Sequence, residues 1–169
     1  YDGGGLDMAF LGMAECNAKG DVNVSKFKDR IAGCGGFINI TQNTHKVVFC
    51  GTFTAKGLRE EIRDGKLVIT HEGAVQKFID KVGQITFSAE YAHKHNQQVM
   101  FITERCVFVL TDKGLVLTEI APGVDLQKDI LDQMEFVPHI AENLKTMDER
   151  LFRDEPMGLA QDIFEQQGG

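Results

Sequence analysis

A chain of 169 residues, 43% hydrophobic and 25% charged, has the length and composition of one globular domain with its own core. Its formal net charge of -7 argues against broad affinity for nucleic acid or an anionic membrane surface, yet leaves room for a local cradle of backbone amides around an anion. The longest apolar runs, MAFLGMA and KVVFCGTF, are too short to span a bilayer, so no membrane partner is expected.

Opening on YDGGGLDMAFLG, the chain reads as the continuation of a longer polypeptide. LDMAFLGMAEC predicts a buried strand, and AECNAKGDVNVSKF a hairpin turning at Lys19-Gly20-Asp21. The next stretch, RIAGCGGFINITQ, gathers Gly33, Cys34, Gly35 and Gly36. Glycine loses more conformational entropy on folding than any other residue, so the cluster signals either a tight turn or a backbone that must approach a ligand. GFINITQNTH suits a strand by the propensity of Phe37, Ile38 and Ile40, and a short helix by the glycines before it and Thr41-Gln42-Asn43 after it. Helix is preferred because KVVFCGTF, the clearest buried strand, follows at once. Strand, glycine loop, helix and strand is the succession by which open α/β sheets build ligand crevices.

LREEIRDGKLVITHEG predicts a second hairpin, turning at Asp64-Gly65. KFIDKVGQITF reads as extended, and SAEYAHKHN as a short helix capped by Ser88. QQVMFITERCVFVLTDKGLVLTEIAPG supplies further strands, with Asp112-Lys113-Gly114 turning the last pair and Pro122-Gly123 ending it. DLQKDILDQM then predicts an amphipathic helix capped by Asp125, with Leu126, Ile130, Leu131 and Met134 on one face. From NLKTMDERLF onward the chain is charged and expected to pack loosely, fraying at Gly168 and Gly169. The fold class expected is α/β, with an open, mostly parallel sheet and added hairpins. Its body covers residues 1–155, followed by a flexible tail over 156–169.

Sequential amides in the Gly33–Gly36 loop, opening a helix, make a donor site for an anion or a developing oxyanion. The loop matches neither GxGxxG nor a P-loop, and by spacing alone a simple tight turn is the plainer explanation. Cys34, at a helix start, has the position of an activated thiol, but no histidine stands near it in sequence. Cys16, Cys50 and Cys106 lie in or beside apolar segments and read as free thiols of a reducing cytoplasm. His93 and His95 fall on different helix faces, while His45, His71 and His139 are isolated, so no metal site is expected. Glu15, Glu60, Glu61, Glu72, Glu90, Glu104 and Glu119 lie in or beside strands or turns, and none reads as a poised nucleophile. In LREEIRDGK, alternating charge on a solvated strand face suffices.

Four segments together carry a specific resemblance: YDGGGLDMAFLGMAECNAKGDVNVSKF, GCGGFINITQNTHKVVFCGTFTAKG, ITERCVFVLTDKGLVLTEIAPGVDL and MDERLFRDEPMGL. They resemble the C-terminal part of the family I coenzyme A transferases, of the fused acetate, propionate or acetoacetate type. The resemblance implies exchange of coenzyme A between a short-chain acyl-CoA and a free carboxylate through a glutamyl-CoA thioester, with coenzyme A as substrate and no further cofactor. It assigns Gly35, Gly36 and Phe37 amides to the thioester and anhydride oxygens and to coenzyme A, with Gly33 shaping the turn. The nucleophilic glutamate of the family falls upstream of the segment matching YDGGGLD, hence upstream of Tyr1, and Glu72 lies in the wrong region to replace it. The implied partners are the family's N-terminal domain and further copies in a homo-oligomer, and the chain by itself is expected to be inactive. Two other readings are a sugar-phosphate-binding α/β domain and a non-catalytic pairing module.

Overall fold

The computed structural model describes residues 1–167, so the expected fraying at Gly168 and Gly169 lies outside the described residues. Six strands form one twisted sheet: β1 (Met8–Gly12), β2 (Lys46–Cys50), β3 (Gln98–Ile102), β4 (Cys106–Thr111), β5 (Gly114–Ile120) and β6 (His139–Thr146), paired in that spatial order. Pairings β1–β2, β2–β3 and β5–β6 are parallel, while β3–β4 and β4–β5 are antiparallel. This is the expected α/β class, with a sheet of mostly parallel pairings.

The register of the sheet sorts the apolar residues onto two faces. Leu11, Phe49, Phe101 and Phe108 stand in one row, and that face is covered by Phe37 of helix α1 (Phe37–Asn43), Ala92 of helix α2 (Ala89–Lys94) and Phe87 just before α2. Phe49 is its hub, with ring centroids 5.8 Å from Phe37, 5.1 Å from Phe87 and 5.1 Å from Phe101. Phe10, Val48, Met100 and Val109 line the opposite face, where Phe10 is 67% exposed. The expected buried strand at LDMAFLG is therefore an edge strand, buried on one side only.

Local chemistry accounts for the connections. Gly20 and Gly114 turn their hairpins at φ of 91° and 93°, and Asp64 and Gly65 both have positive φ, as the tight Asp-Gly turn between Arg59–Arg63 and Lys66–His71 demands. The Ser88 side chain accepts from the Tyr91 amide, capping α2.

Three expectations need correction. KFIDKVGQITF, expected to be extended, is not a continuous strand: Phe78 and Phe87 make isolated bridges to Cys16 and Val22 with bends between them, and both rings enter the core. DLQKDILDQM does start at an Asp125 cap and buries Ile130 and Met134. Its backbone is one π-helical turn (Leu126–Ile130) and a 3-10 turn (Leu131–Gln133), which together seat those side chains. The segment expected to pack loosely, from Asn143 onward, instead supplies the second half of β6, and Met147 and Phe152 join Leu67, Val107 and Ala121 in a second small core. A helix α3 (Leu159–Gln167) follows.

Candidate functional site

The chain leaves β1 at Gly12 and passes through two short hairpins to the glycine loop. The Ser25 carbonyl then accepts from the Ala32 and Gly33 amides at 2.8 Å and 3.3 Å. Gly33 and Gly35 have φ of 77° and 50°, a region L side chains enter only with strain, so the turn itself requires glycine at these two positions. Gly36 has φ -81°, and a side chain there would be sterically tolerated, its Cβ standing 3.7 Å from the Ile40 side chain. Gly33, Gly35 and Gly36 are solvent-exposed, and among the described residues the Gly35 and Gly36 amides donate to no acceptor. Phe37 anchors the start of α1 by stacking on Phe49, next to the last residue of β2, and the far end of α1 feeds back to the start of that strand. The helix thus runs against the parallel strands and holds the glycine loop at their carboxyl edge, where open α/β sheets place ligands.

Cys34 is half-buried in the loop and packs against the core. Cys16 and Cys106 are buried, and burial pushes both thiols up. Cys50, half-buried, is also raised by burial. His95 Nδ1 sits 2.8 Å from the Tyr91 carbonyl and its ring stacks on Tyr91, while His93 is exposed on α2. Among the described residues, no three His, Cys, Asp or Glu side chains are placed to hold a metal ion.

Beyond the ends of β2 and β3 lies a cluster that the sequence reading missed. Arg105 has no exposed side-chain surface. It donates to Glu72 at 2.7 Å and 3.1 Å, to Glu104 at 2.6 Å and to the Asp129 carbonyl at 2.8 Å, with its guanidinium 4.9 Å from the centroid of Phe53. Glu104 also accepts from the Phe53 amide at 2.8 Å, and Glu72 from the Thr54 hydroxyl and the Gly73 amide. Burial by itself raises the Glu72 carboxyl; the hydrogen bonds from Arg105 and Thr54 outweigh it and hold the group below the usual carboxylate range. Glu72 and Glu104 are therefore committed ligands of a buried arginine. Lys77, 6% exposed, donates to the Thr52 carbonyl at 2.7 Å, and burial lowers its pKa against the opposing effect of Glu104. The only signal of this cluster in the sequence was a charged residue inside an apolar run, the arginine of ITERCVFVL.

On the opposite face of the sheet, a groove of about 860 Å³ runs from Thr103 and Glu104 past Met100, Ile102 and Val107 to Phe152. No described helix is both long and apolar enough to cross a membrane.

No model of a known protein family matches the sequence. Over 164 residues, 94% of its length, the chain is 53% identical to the caffeate CoA-transferase of Acetobacterium woodii, of which it spans 31%. It is 55% identical over 159 residues to the acetate CoA-transferase YdiF of Escherichia coli K12, of which it spans 30%. The chain therefore spans about a third of the length of these relatives. The acyl-CoA transferase YdiF of Escherichia coli O157:H7 has the same fold at TM-score 0.90 and 55% identity, both as apoenzyme and as a thioester complex with CoA; the match covers 92% of this chain and 30% of that one. Glutaconate coenzyme A-transferase of Acidaminococcus fermentans, 14% identical at TM-score 0.61, shares the fold over 94% of this chain and 57% of its own.

Proposed function

From its 53–55% identity to coenzyme A transferases over 94% of its length, we propose that the chain belongs to that family and forms part of an enzyme exchanging coenzyme A between a short-chain acyl-CoA and a free carboxylate such as acetate or acetoacetate. The observation that carries this reading is the exposed Gly33–Gly36 loop at the carboxyl edge, with the Gly35 and Gly36 amides unengaged among the described residues. A carboxylate attacking a thioester builds negative charge on the carbonyl oxygen, and amides fixed in advance toward that charge stabilise it without reorganising. Gly35 and Gly36 supply these amides in our reading and Gly33 sets the turn, while the Phe37 amide, expected to join them, donates instead to the Cys34 carbonyl at 3.0 Å and so braces the loop. The bare surface at Gly36 admits the thioester close to the backbone.

The nucleophile is a glutamate outside these residues. It attacks the acyl-CoA to give an acyl–glutamyl anhydride and the coenzyme A thiolate. The thiolate attacks the glutamyl carbonyl, releasing the first acid and leaving a glutamyl-CoA thioester, which an incoming carboxylate resolves by the reverse steps. Binding of the remote part of coenzyme A supplies free energy for this otherwise difficult carboxylate chemistry. Coenzyme A enters as substrate, and no further cofactor is assigned.

Residues 1–155 form the working unit of this reading and 156–169 an appended tail, consistent with the exposure of Leu159, Ile163 and Phe164 on α3. An N-terminal transferase domain is the proposed partner. Sheets with parallel pairing are ordinarily covered on both faces, and here the second face exposes Phe10 beside the groove at Met100 and Ile102. Assembly into a homo-oligomer and a cytoplasmic location complete the proposal, the latter supported by the four free cysteines. The test is acyl exchange by the full-length protein and its Gly36→Val variant: folding should be retained and turnover lost. Equal turnover in the two would remove the loop from the reaction.

A further inference from the structure

Among the described residues, Lys77 is the one buried cation of the carboxyl edge that the Arg105 cluster does not absorb. The Cys16 amide donates to its carbonyl at 2.8 Å and Phe78 beside it is fully buried, so its backbone is held from both sides. Its ammonium can donate three hydrogen bonds, and among the described residues it donates one, to the Thr52 carbonyl. No described carboxylate pairs with it: Glu104, the nearest influence on its charge, is taken by Arg105 and the Phe53 amide. An ammonium withdrawn from water and balanced only at a distance, by a carboxylate bonded elsewhere, is costly, and the cost is relieved when an anion arrives.

The way in is through Gly51. That residue is exposed and follows β2 directly, its amide donating to the carbonyl of Ile102 at the end of β3. A Cβ on Gly51 would stand 3.0 Å from Lys77 Nζ, so the missing side chain leaves the ammonium reachable from the surface. The glycine loop is anchored at the end of the same strand, through Phe37 on Phe49.

We propose that Lys77 is an anion-holding residue of this edge, receiving under the bare backbone of Gly51 a carboxylate that takes part in coenzyme A exchange. This rests on the transferase reading above. The carboxylate comes either from the free acid or from the protein's own nucleophilic glutamate. The chemistry is the same, and kinetics separates the two.

The decisive variant is Lys77→Met in the full-length protein. It removes a buried charge that no carboxylate pairs directly while keeping the length of the side chain, so its melting temperature should equal or exceed that of the parent. If the KM for acetate rises at least about 10-fold while that for acyl-CoA stays within about twofold, the proposal holds and the free acid is the ligand. If thioester formation from acyl-CoA slows by at least about 10-fold at unchanged KM for acetate, it holds and the glutamate is the ligand. All parameters within about twofold in the folded variant would overturn it. Should Lys77→Met fail to fold, Gly51→Ala, which displaces only the movable end of the lysine, must move one of the same parameters at least about threefold, and no movement overturns the proposal. If the parent protein shows no exchange at all, the transferase reading has failed. Lys77 is then judged by acetate titration of its side-chain NMR signal: a saturable shift sustains the anion site, and no shift overturns it.

Discussion

Arg105, with no exposed side-chain surface, holds Glu72 from 33 residues away through hydrogen bonds of 2.7 Å and 3.1 Å. The same guanidinium binds Glu104 and the Asp129 carbonyl. One side chain therefore ties the end of the long hairpin, the β3–β4 loop and the π-helical turn together beneath the carboxyl edge.

Removing that cation strands two carboxylates. Arg105→Met should cost about 3 kcal/mol or more, the usual penalty for breaking a buried ion pair by deleting one partner. Arg105→Lys should recover only part of it, because a point charge cannot reproduce a forked donor that binds two carboxylates and a carbonyl. Urea midpoints at neutral pH, with unchanged slopes, give the comparison.

The Glu72 carboxyl lies below its ordinary range in the folded chain, so between the folded and unfolded values the unfolded chain binds more protons. Its contribution is full above the unfolded value, about 4.3, and disappears as pH falls through the lower folded value. Stability should therefore decline on acidification below about pH 4.5. Glu72→Gln should flatten that limb. Urea midpoints from neutral pH to about pH 3 measure it, and parallel curves for the two proteins would count against the linkage.

The glycine loop separates strain from blockage. Gly33→Ala and Gly35→Ala meet no atom within 4 Å, so each should cost only the backbone strain, about 1–2 kcal/mol. Gly36→Val has no such strain at φ -81° and should leave the melting temperature within a few degrees, yet lower turnover by about 100-fold or more. Melting curves and exchange rates on the same preparations show whether stability and activity part in this way.

Phe49 bears on three rings and on the placement of α1. Phe49→Ala should destabilise the domain by about 3–5 kcal/mol through the cavity it leaves. Phe49→Leu, which fills most of the space, should cost markedly less. Denaturation midpoints of the two variants test the difference.

Where local chemistry decides, the elements are legible in the sequence. Asp64-Gly65, Ser88 and the Gly33–Gly36 cluster announce a hairpin, a helix start and a loop, because turn and cap geometry depend on a few adjacent residues. Where distant partners decide, legibility fails. Glu72 and Glu104 read only as carboxylates in or beside strands or turns, with no assigned role, until Arg105 supplies a buried counter-ion, and that pairing exists only in three dimensions. Strand β6, HIAENLKT, carries no clean alternation, because as a sheet edge it buries little and is held by the ladder to β5. The extended reading of KFIDKVGQITF did not separate Phe78 and Phe87 from the bends between them, because their partners Cys16 and Val22 lie far back in the chain, in the first hairpin.

Cys34 tests the alternative nucleophile. Its thiol is free and half-buried in the glycine loop, and the residue packs against the core. Cys34→Ser should keep exchange activity within about threefold, whereas loss by several orders of magnitude would make the thiol the nucleophile.

The most direct test of the central claim is incorporation of labelled acetate into acetyl-CoA, measured on residues 1–169 alone and on the same residues joined to the remaining polypeptide of a full-length transferase. The account predicts exchange only in the joined protein, because the glycine loop lies in this chain and the nucleophilic glutamate outside it. Exchange by residues 1–169 alone would contradict that division and place the nucleophile within this chain. A folded, joined protein that exchanges nothing would contradict the transferase reading itself.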